Sequence, residues 1–264
     1  MHTLFVWALL GLLPTAAEVP VNVTCNADLV CIKTYKNNHV RLVLESYSHK
    51  PLSVRLFFTT ENMIHVRPPT AHLNKPASIE LVTFDPPVGA WGYEFRTHYG
   101  HERTAHDKGH VYGLPFAEGA SFAVSQSHTN VSTHRLGNRY AIDWTMPIGT
   151  PVYAARSGTV VSTYTQSNGP DTANHIWIAH ADGTIGKYLH LDYKGVRVDE
   201  GDQIKVGQLI GRSGDTGFSS GPHLHFSVSS LGGRYLYQTY NLTFQTSTGQ
   251  RQLVGGETYT RPNN

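Results

Sequence analysis

The chain has 264 residues, of which 39 % are hydrophobic and 15 % charged, and its formal net charge is +2 at pH 7. That length fits one large β domain or two domains of about 100 to 150 residues. The composition excludes a disordered chain and one embedded in a membrane along its length. The near balance of charge excludes the basic footprint of a nucleic-acid binder.

Residues 4–13 form an unbroken apolar run, followed by Pro14 and the small residues Thr15, Ala16 and Ala17. At about 1.5 Å per residue such a run reaches roughly 15 Å, half of a hydrocarbon core. We therefore read residues 1–17 as a secretory signal peptide, with no stable membrane anchor after its removal, in an exported protein of the periplasm or the exterior. Cys25 and Cys31 are the two cysteines. In an oxidising compartment they read as a small-loop disulfide. Asn22, Asn130 and Asn241 begin Asn-x-Ser/Thr sequons, which matter only in a host that glycosylates.

From Val40 to Thr97 short runs alternate: Leu42 and Leu44 with Arg41 and Glu45, then Leu52, Val54, Leu56 and Phe58 with Ser53, Arg55 and Thr59. Pro68, Pro69, Pro86, Pro87 and Gly89 punctuate them, and further strands are expected at 78–84 and 93–97. Residues 18–97 thus read as a β-sandwich-like N-terminal domain without chemical motifs. Residues 98–111 read as a polar linker whose histidines, His98, His101, His106 and His110, are solvated. After Tyr112 strands are expected at 151–155, 159–164, 176–180, 184–191, 208–212 and 224–229, with Asp182-Gly183 as a hairpin turn. No window keeps a helical period, so the fold class is mainly β throughout. Residues 233–264 read as a partly β extension, with a hairpin around Tyr237 to Phe244 and loose last residues.

Two segments bear chemistry. In Gly221-Pro222-His223-Leu224-His225-Phe226 the two histidines share one face of a strand, while Leu224, Phe226 and Val228 share the other. Upstream, Asp143 alternates with Tyr140, Ile142 and Trp144, and His134 precedes it. Imidazole and carboxylate are both good Zn²⁺ ligands, and His134, Asp143 and His225 would make a three-ligand set with the fourth position left to water. Two surface histidines, a turn-capping Asp143 and a solvent-facing His134 are the plainer readings of the same residues. His190, between Leu189 and Leu191, reads either as an edge residue or as a catalytic one. Asp215-Thr216-Gly217 spells an aspartic-protease triplet, but a single copy cannot supply two carboxylates sharing a proton. The glycines from 207 to 217 lack the Gly-Lys-Ser/Thr and helix of a phosphate loop.

Ser132-Thr133-His134, Arg139-Tyr140-Ala141-Ile142-Asp143-Trp144, Pro147-Ile148-Gly149-Thr150-Pro151-Val152, Tyr188-Leu189-His190-Leu191, Ser213-Gly214-Asp215-Thr216-Gly217 and Gly221-Pro222-His223-Leu224-His225-Phe226 occur in that order. This ordered set resembles the lysostaphin/LytM-type zinc metallopeptidases over somewhat under half the chain, and residues 112–232 are assigned to that domain. The resemblance implies a β-rich metallopeptidase domain holding Zn²⁺ through His134, Asp143 and His225, with His190 and His223 catalytic. The spacer between His134 and Asp143 is longer than in the best-known members, which leaves His128 as a competitor of His134. The implied function is a zinc-dependent endopeptidase acting on the stem and cross-link peptides of peptidoglycan. The alternatives are a secreted protease of glycine-rich proteins and a non-catalytic cell-wall binding or hydrolase-activating module.

Overall fold

Alternation of buried and half-buried residues builds several strands, among them Val30–Lys36, Val40–Ser46 and Asn174–Ala179. The structure, a computed structural model, describes residues 18–26, 30–49, 52–60, 63, 66, 69–73, 75–99, 106–130, 132–231 and 237–263. The expected signal peptide and residues 100–105 of the expected linker, His101 among them, lie outside the described residues. Among the described residues no helix is long and apolar enough to cross a membrane.

The N-terminal strands are β1 (Asn22–Cys25), β2 (Val30–Lys36), β3 (Val40–Ser46), β4 (Leu52–Phe58), β5 (Thr70–Leu73), β6 (Ala77–Phe84) and β7 (Tyr93–Tyr99). They form two sheets, β1-β2-β3-β6 and β5-β4-β7. Val30, Ile32, Leu42 and Leu44 of the first and Leu52, Val54 and Leu56 of the second close one buried core, the arrangement of a sandwich. Cys25 and Cys31 lie directly opposite each other on β1 and β2 and are disulfide-bonded.

The second set is β8 (Val111–Gly113), β9 (Ser121–Gln126), β10 (Ile142–Thr145), β11 (Pro151–Tyr153), β12 (Gly158–Tyr164), β13 (Asn174–Ala179), β14 (Ile185–Leu191), β15 (Gln203–Ile204), β16 (Leu209–Arg212), β17 (His223–Leu231), β18 (Tyr237–Thr239), β19 (Thr243–Thr246), β20 (Gly249–Arg251) and β21 (Thr258–Thr260). Its main sheet runs β15-β12-β13-β14-β17-β10-β9-β21, with β18 beside β17. Trp144 from β10, Tyr188 from β14 and Leu224, Phe226 and Val228 from β17 fill one buried core with Phe116 and Phe244. Each such buried aromatic holds the floor of the sheet at a scale of about 3–5 kcal/mol on truncation to alanine. The Asp182-Gly183 turn joins β13 to β14 as expected: Gly183 has φ 81°, and Asp182 Oδ1 accepts the Thr184 N–H at 3.0 Å.

Three expectations are corrected. The described tail is held in the fold as far as Arg261, because β21 pairs with β9, Tyr259 is buried and Arg261 Nη1 donates to the Phe116 carbonyl at 2.7 Å. No hairpin spans Tyr237 to Phe244. Instead β18 extends the main sheet, while β19 turns back on β20 and pairs in parallel with β8. His106 and His110 are not solvated. The His106 ring stacks on Tyr240 at 3.9 Å, and the Asp107 N–H donates to Asp182 Oδ2 at 3.1 Å. His106 Nδ1 and Nε2, His110 Nε2 and His180 Nε2 are buried without a hydrogen-bond partner among the described residues. The polarity of the segment hid this docking, since an imidazole offers a flat apolar face as well as two nitrogens.

Burial, with the Arg156 charge adding to it and Asp182 opposing, pushes His180 down to about 3, and burial lowers His106 and His110 as well. Folding therefore excludes protons that the unfolded chain accepts below its ordinary histidine value near 6.5, so stability falls as pH drops from about 6.5 towards 3. Each such group adds at most about 1.4 kcal/mol per pH unit within that window. Urea unfolding at pH 7, 6 and 5 should show this loss, and His180→Asn should flatten it. An identical pH slope in the variant would contradict the assignment.

Candidate active site

β10 and β17 are antiparallel neighbours whose register sets Asp143 opposite His225 and Thr145 opposite His223. Because successive strand residues face opposite ways, Trp144 and Leu224 point into the core while Asp143 and His225 share the other face. His134 arrives from the loop between β9 and β10. The eight residues separating it from Asp143 are taken up by a 3-10 turn at Leu136–Asn138. All three side chains are buried: His134 is 2 % exposed, Asp143 6 % and His225 8 %.

His225 Nδ1 lies 2.8 Å from Asp143 Oδ1, and His134 Nε2 lies 3.1 Å from Asp143 Oδ2. The two imidazole nitrogens are themselves 3.3 Å apart. Each residue thus offers one ligand atom within 4.8 Å of the others. Burial acts to raise the Asp143 carboxyl, but the hydrogen bonds from His134 and His225 outweigh it and hold the group well below the usual carboxylate range. Burial pushes His225 down, with Asp143 opposing. Three N/O donors aimed at one another around a carboxylate, away from water, form a donor set that fits a divalent cation. His128 stands outside this group, its ring 5.7 Å from that of Tyr140.

His223 and His190 adjoin the cluster. Their ring centroids are 4.5 Å apart, the His190 ring is 5.9 Å from that of His225, and His223 Nε2 is 4.0 Å from Asp143 Oδ1. His190 sits at the end of β14 with φ 62°, in the left-handed region that a β-carbon disfavours. Its Nδ1 lies 2.7 Å from the Thr216 carbonyl, and His223 Nδ1 lies 2.8 Å from the Gly221 carbonyl and 3.1 Å from Ser219 Oγ. Carbonyls only accept, so Nδ1 carries the proton in both rings and Nε2 is the nitrogen that exchanges one. Burial pushes His190 down to about 4 despite the Thr216 carbonyl, so its ring is neutral at pH 7.

The loop between β16 and β17 therefore orients both rings, and it does so by close backbone approach. A β-carbon on Gly214 would come within 2.5 Å of the Asp192 nitrogen, so the glycine lets this loop lie against the end of β14 beside His190. Ser219 and Gln126, whose amide meets Asp143, are contacts that motif reading does not single out, and Thr216 enters the motifs without a role of its own. Only strand pairing and loop closure reveal them.

Residues 137–236 match the model of Peptidase family M23. The peptidoglycan DD-endopeptidase ShyA of Vibrio cholerae is 35 % identical over 46 % of this chain and 27 % of its own length. Lysostaphin of Staphylococcus simulans is 44 % identical over 34 % of this chain and 18 % of its own. A solved structure of that lysostaphin overlaps 47 % of this chain and 50 % of its own, with 32 % identity and a TM-score of 0.38. The chain thus spans about a quarter or less of the length of these two relatives. The His-x-His strand, the strand bearing Asp143 and the strand carrying His190 all fall inside the segment of this chain that is similar to Peptidase family M23.

Proposed function

We propose that this protein is a zinc-dependent endopeptidase that hydrolyses peptide cross-links of bacterial peptidoglycan. The observation that carries the reading is the convergence of His134 Nε2, an Asp143 oxygen and His225 Nδ1 within 4.8 Å in a buried setting. These three residues would hold the Zn²⁺. When bound, the cation supplies a Lewis acid and a water acidified towards neutral pH. Asp143 contributes the negative charge of the set, and the two imidazoles bind as neutral rings. His190, neutral at pH 7, offers Nε2 as the proton acceptor, with Nδ1 held by the Thr216 carbonyl. The proton taken on His190 Nε2 would be returned from there to the leaving amine, while His223, whose Nδ1–H is held by the Gly221 carbonyl, would donate from Nε2 to the developing oxyanion only as the imidazolium.

Peptidoglycan as substrate is supported by what the relatives are named for, DD-endopeptidase in one case and lysostaphin in the other. Export is supported by the Cys25–Cys31 disulfide and by the apolar run at 4–13. The N-terminal sandwich, on whose core Val161 and Trp177 of the main sheet pack, acts in this reading as a covering or positioning module. Mass spectrometry of products from defined peptidoglycan tests the assignment. Released un-cross-linked stem peptides support it, cleavage of glycine-rich proteins with the wall left intact moves the substrate to that class, and a wall polymer and glycine-rich proteins both left unchanged refute the enzyme.

Metal analysis of the purified chain should find about one equivalent of zinc, and a chelator should abolish hydrolysis until Zn²⁺ is restored. Full activity in metal-free protein would contradict the reading. Alanine variants should separate the two roles within His-x-His. His225→Ala should lose the metal, whereas His223→Ala and His190→Ala should retain it and turn over about 10²- to 10⁴-fold more slowly. Paired zinc content and hydrolysis rates check this. Metal loss in His223→Ala with retention in His225→Ala would reverse the assignment.

A further inference from the structure

Gln126 ends β9, lies opposite Asp143 in the β9–β10 register and is 8 % exposed. Its Oε1 accepts the main-chain N–H groups of Ser132 and Thr133, both at 2.7 Å. Main-chain nitrogens only donate, so that end of the amide is the oxygen and the other end is the NH₂ group. Nε2 then donates to Asp143 Oδ2 at 2.8 Å and to Thr133 Oγ1 at 2.9 Å. One side chain therefore grips the Asp143 oxygen that faces His134 and the two residues that precede His134 in the chain.

We propose that Gln126 is the positioning residue of the metal centre, fixing the Asp143 carboxylate and the His134 loop in one geometry and thereby setting metal affinity. The inference rests on the metal-centre reading above. An uncharged amide suits the task on two counts. It donates to a buried carboxylate without neutralising it, as an Arg or Lys would by competing with a cation for the same charge. It also accepts the N–H groups of Ser132 and Thr133, which ties the loop leading to His134 back to β9. Losing such a support to a ligand costs about 10- to 100-fold in metal affinity.

The test compares wild type with Gln126→Leu, Gln126→Glu and Asn130→Ala in the full chain. The readouts are Zn²⁺ affinity by chelator competition, the visible absorption of the Co²⁺-substituted protein, and thermal unfolding of the metal-free form. Asn130 secures the neighbouring turn by accepting the Ser127 N–H at 2.8 Å and does not touch Asp143, so it reports loop loosening alone. Gln126→Leu is expected to weaken Zn²⁺ binding about 10- to 100-fold and to alter the Co²⁺ spectrum, with Asn130→Ala within about twofold of wild type. Gln126→Glu keeps the two main-chain bonds and replaces the donor to Asp143 with an acceptor. It is expected to change the Co²⁺ spectrum, and it decides the matter if the leucine variant does not fold. Wild-type affinity and spectrum in Gln126→Leu, an unchanged spectrum in Gln126→Glu, or an equal affinity loss in Asn130→Ala would overturn the inference. Failure of the wild type to bind metal would instead overturn the reading it rests on.

Discussion

The antiparallel register of β10 on β17 is the constraint on which the rest depends. Asp143 stands opposite His225 because Trp144 stands opposite Leu224, and Ile142 opposite Phe226. The strand period is two, so a slip of one residue would drive the carboxylate into the aromatic core and turn His225 away from Asp143. Burial of Trp144, Leu224 and Phe226 thus specifies the register that brings the polar face together. The apolar face supplies the free energy, and the proposed metal centre takes its geometry from it.

What the strands cannot place, loops hold by main-chain contacts. His190 and His223 are each tied to a loop outside the sheet through the carbonyls of Thr216 and Gly221, and His134, itself in a loop, is tied back to β9 through the residues gripped by Gln126. The positive φ of His190 is a local cost that surrounding structure must offset. The Thr216 hydroxyl helps by donating to the Leu191 carbonyl at 2.7 Å, so the loop that orients the ring also fastens the end of the strand bearing it. The proposed catalytic side chains therefore sit where a rigid sheet ends and a glycine-dependent loop begins.

Much of this was legible in the sequence for a simple reason: alternation is visible in one dimension. The pairing of apolar and polar positions around Asp143 and in His-x-His located both faces of β10 and β17, and the Asp182-Gly183 turn was found by its residue types. His134, in a loop without periodicity, was reached through an ordered set of motifs and not through pattern. Gln126 carries no signal at all, since its role exists only once β9 pairs with β10. The segment around His106 and His110 misled for the opposite reason. Its polar composition reads as solvated, whereas the ring faces pack and the nitrogens are buried. The tail misled likewise, because the pairing partner of β21 lies more than a hundred residues earlier, in β9.

Histidines gather in two places: His134 and His225 around Asp143, and His180 with the half-buried His106 and His110 near Asp182. Among the described residues, only the first brings three ligand atoms within 4.8 Å of one another. A crystal structure of the zinc-loaded protein, with anomalous difference maps recorded on both sides of the zinc edge, separates them directly. The expected result is one peak at about 2.0–2.2 Å from His134 Nε2, an Asp143 oxygen and His225 Nδ1. A peak at the His106, His110 and His180 cluster with none at Asp143 would contradict the assignment of the metal centre.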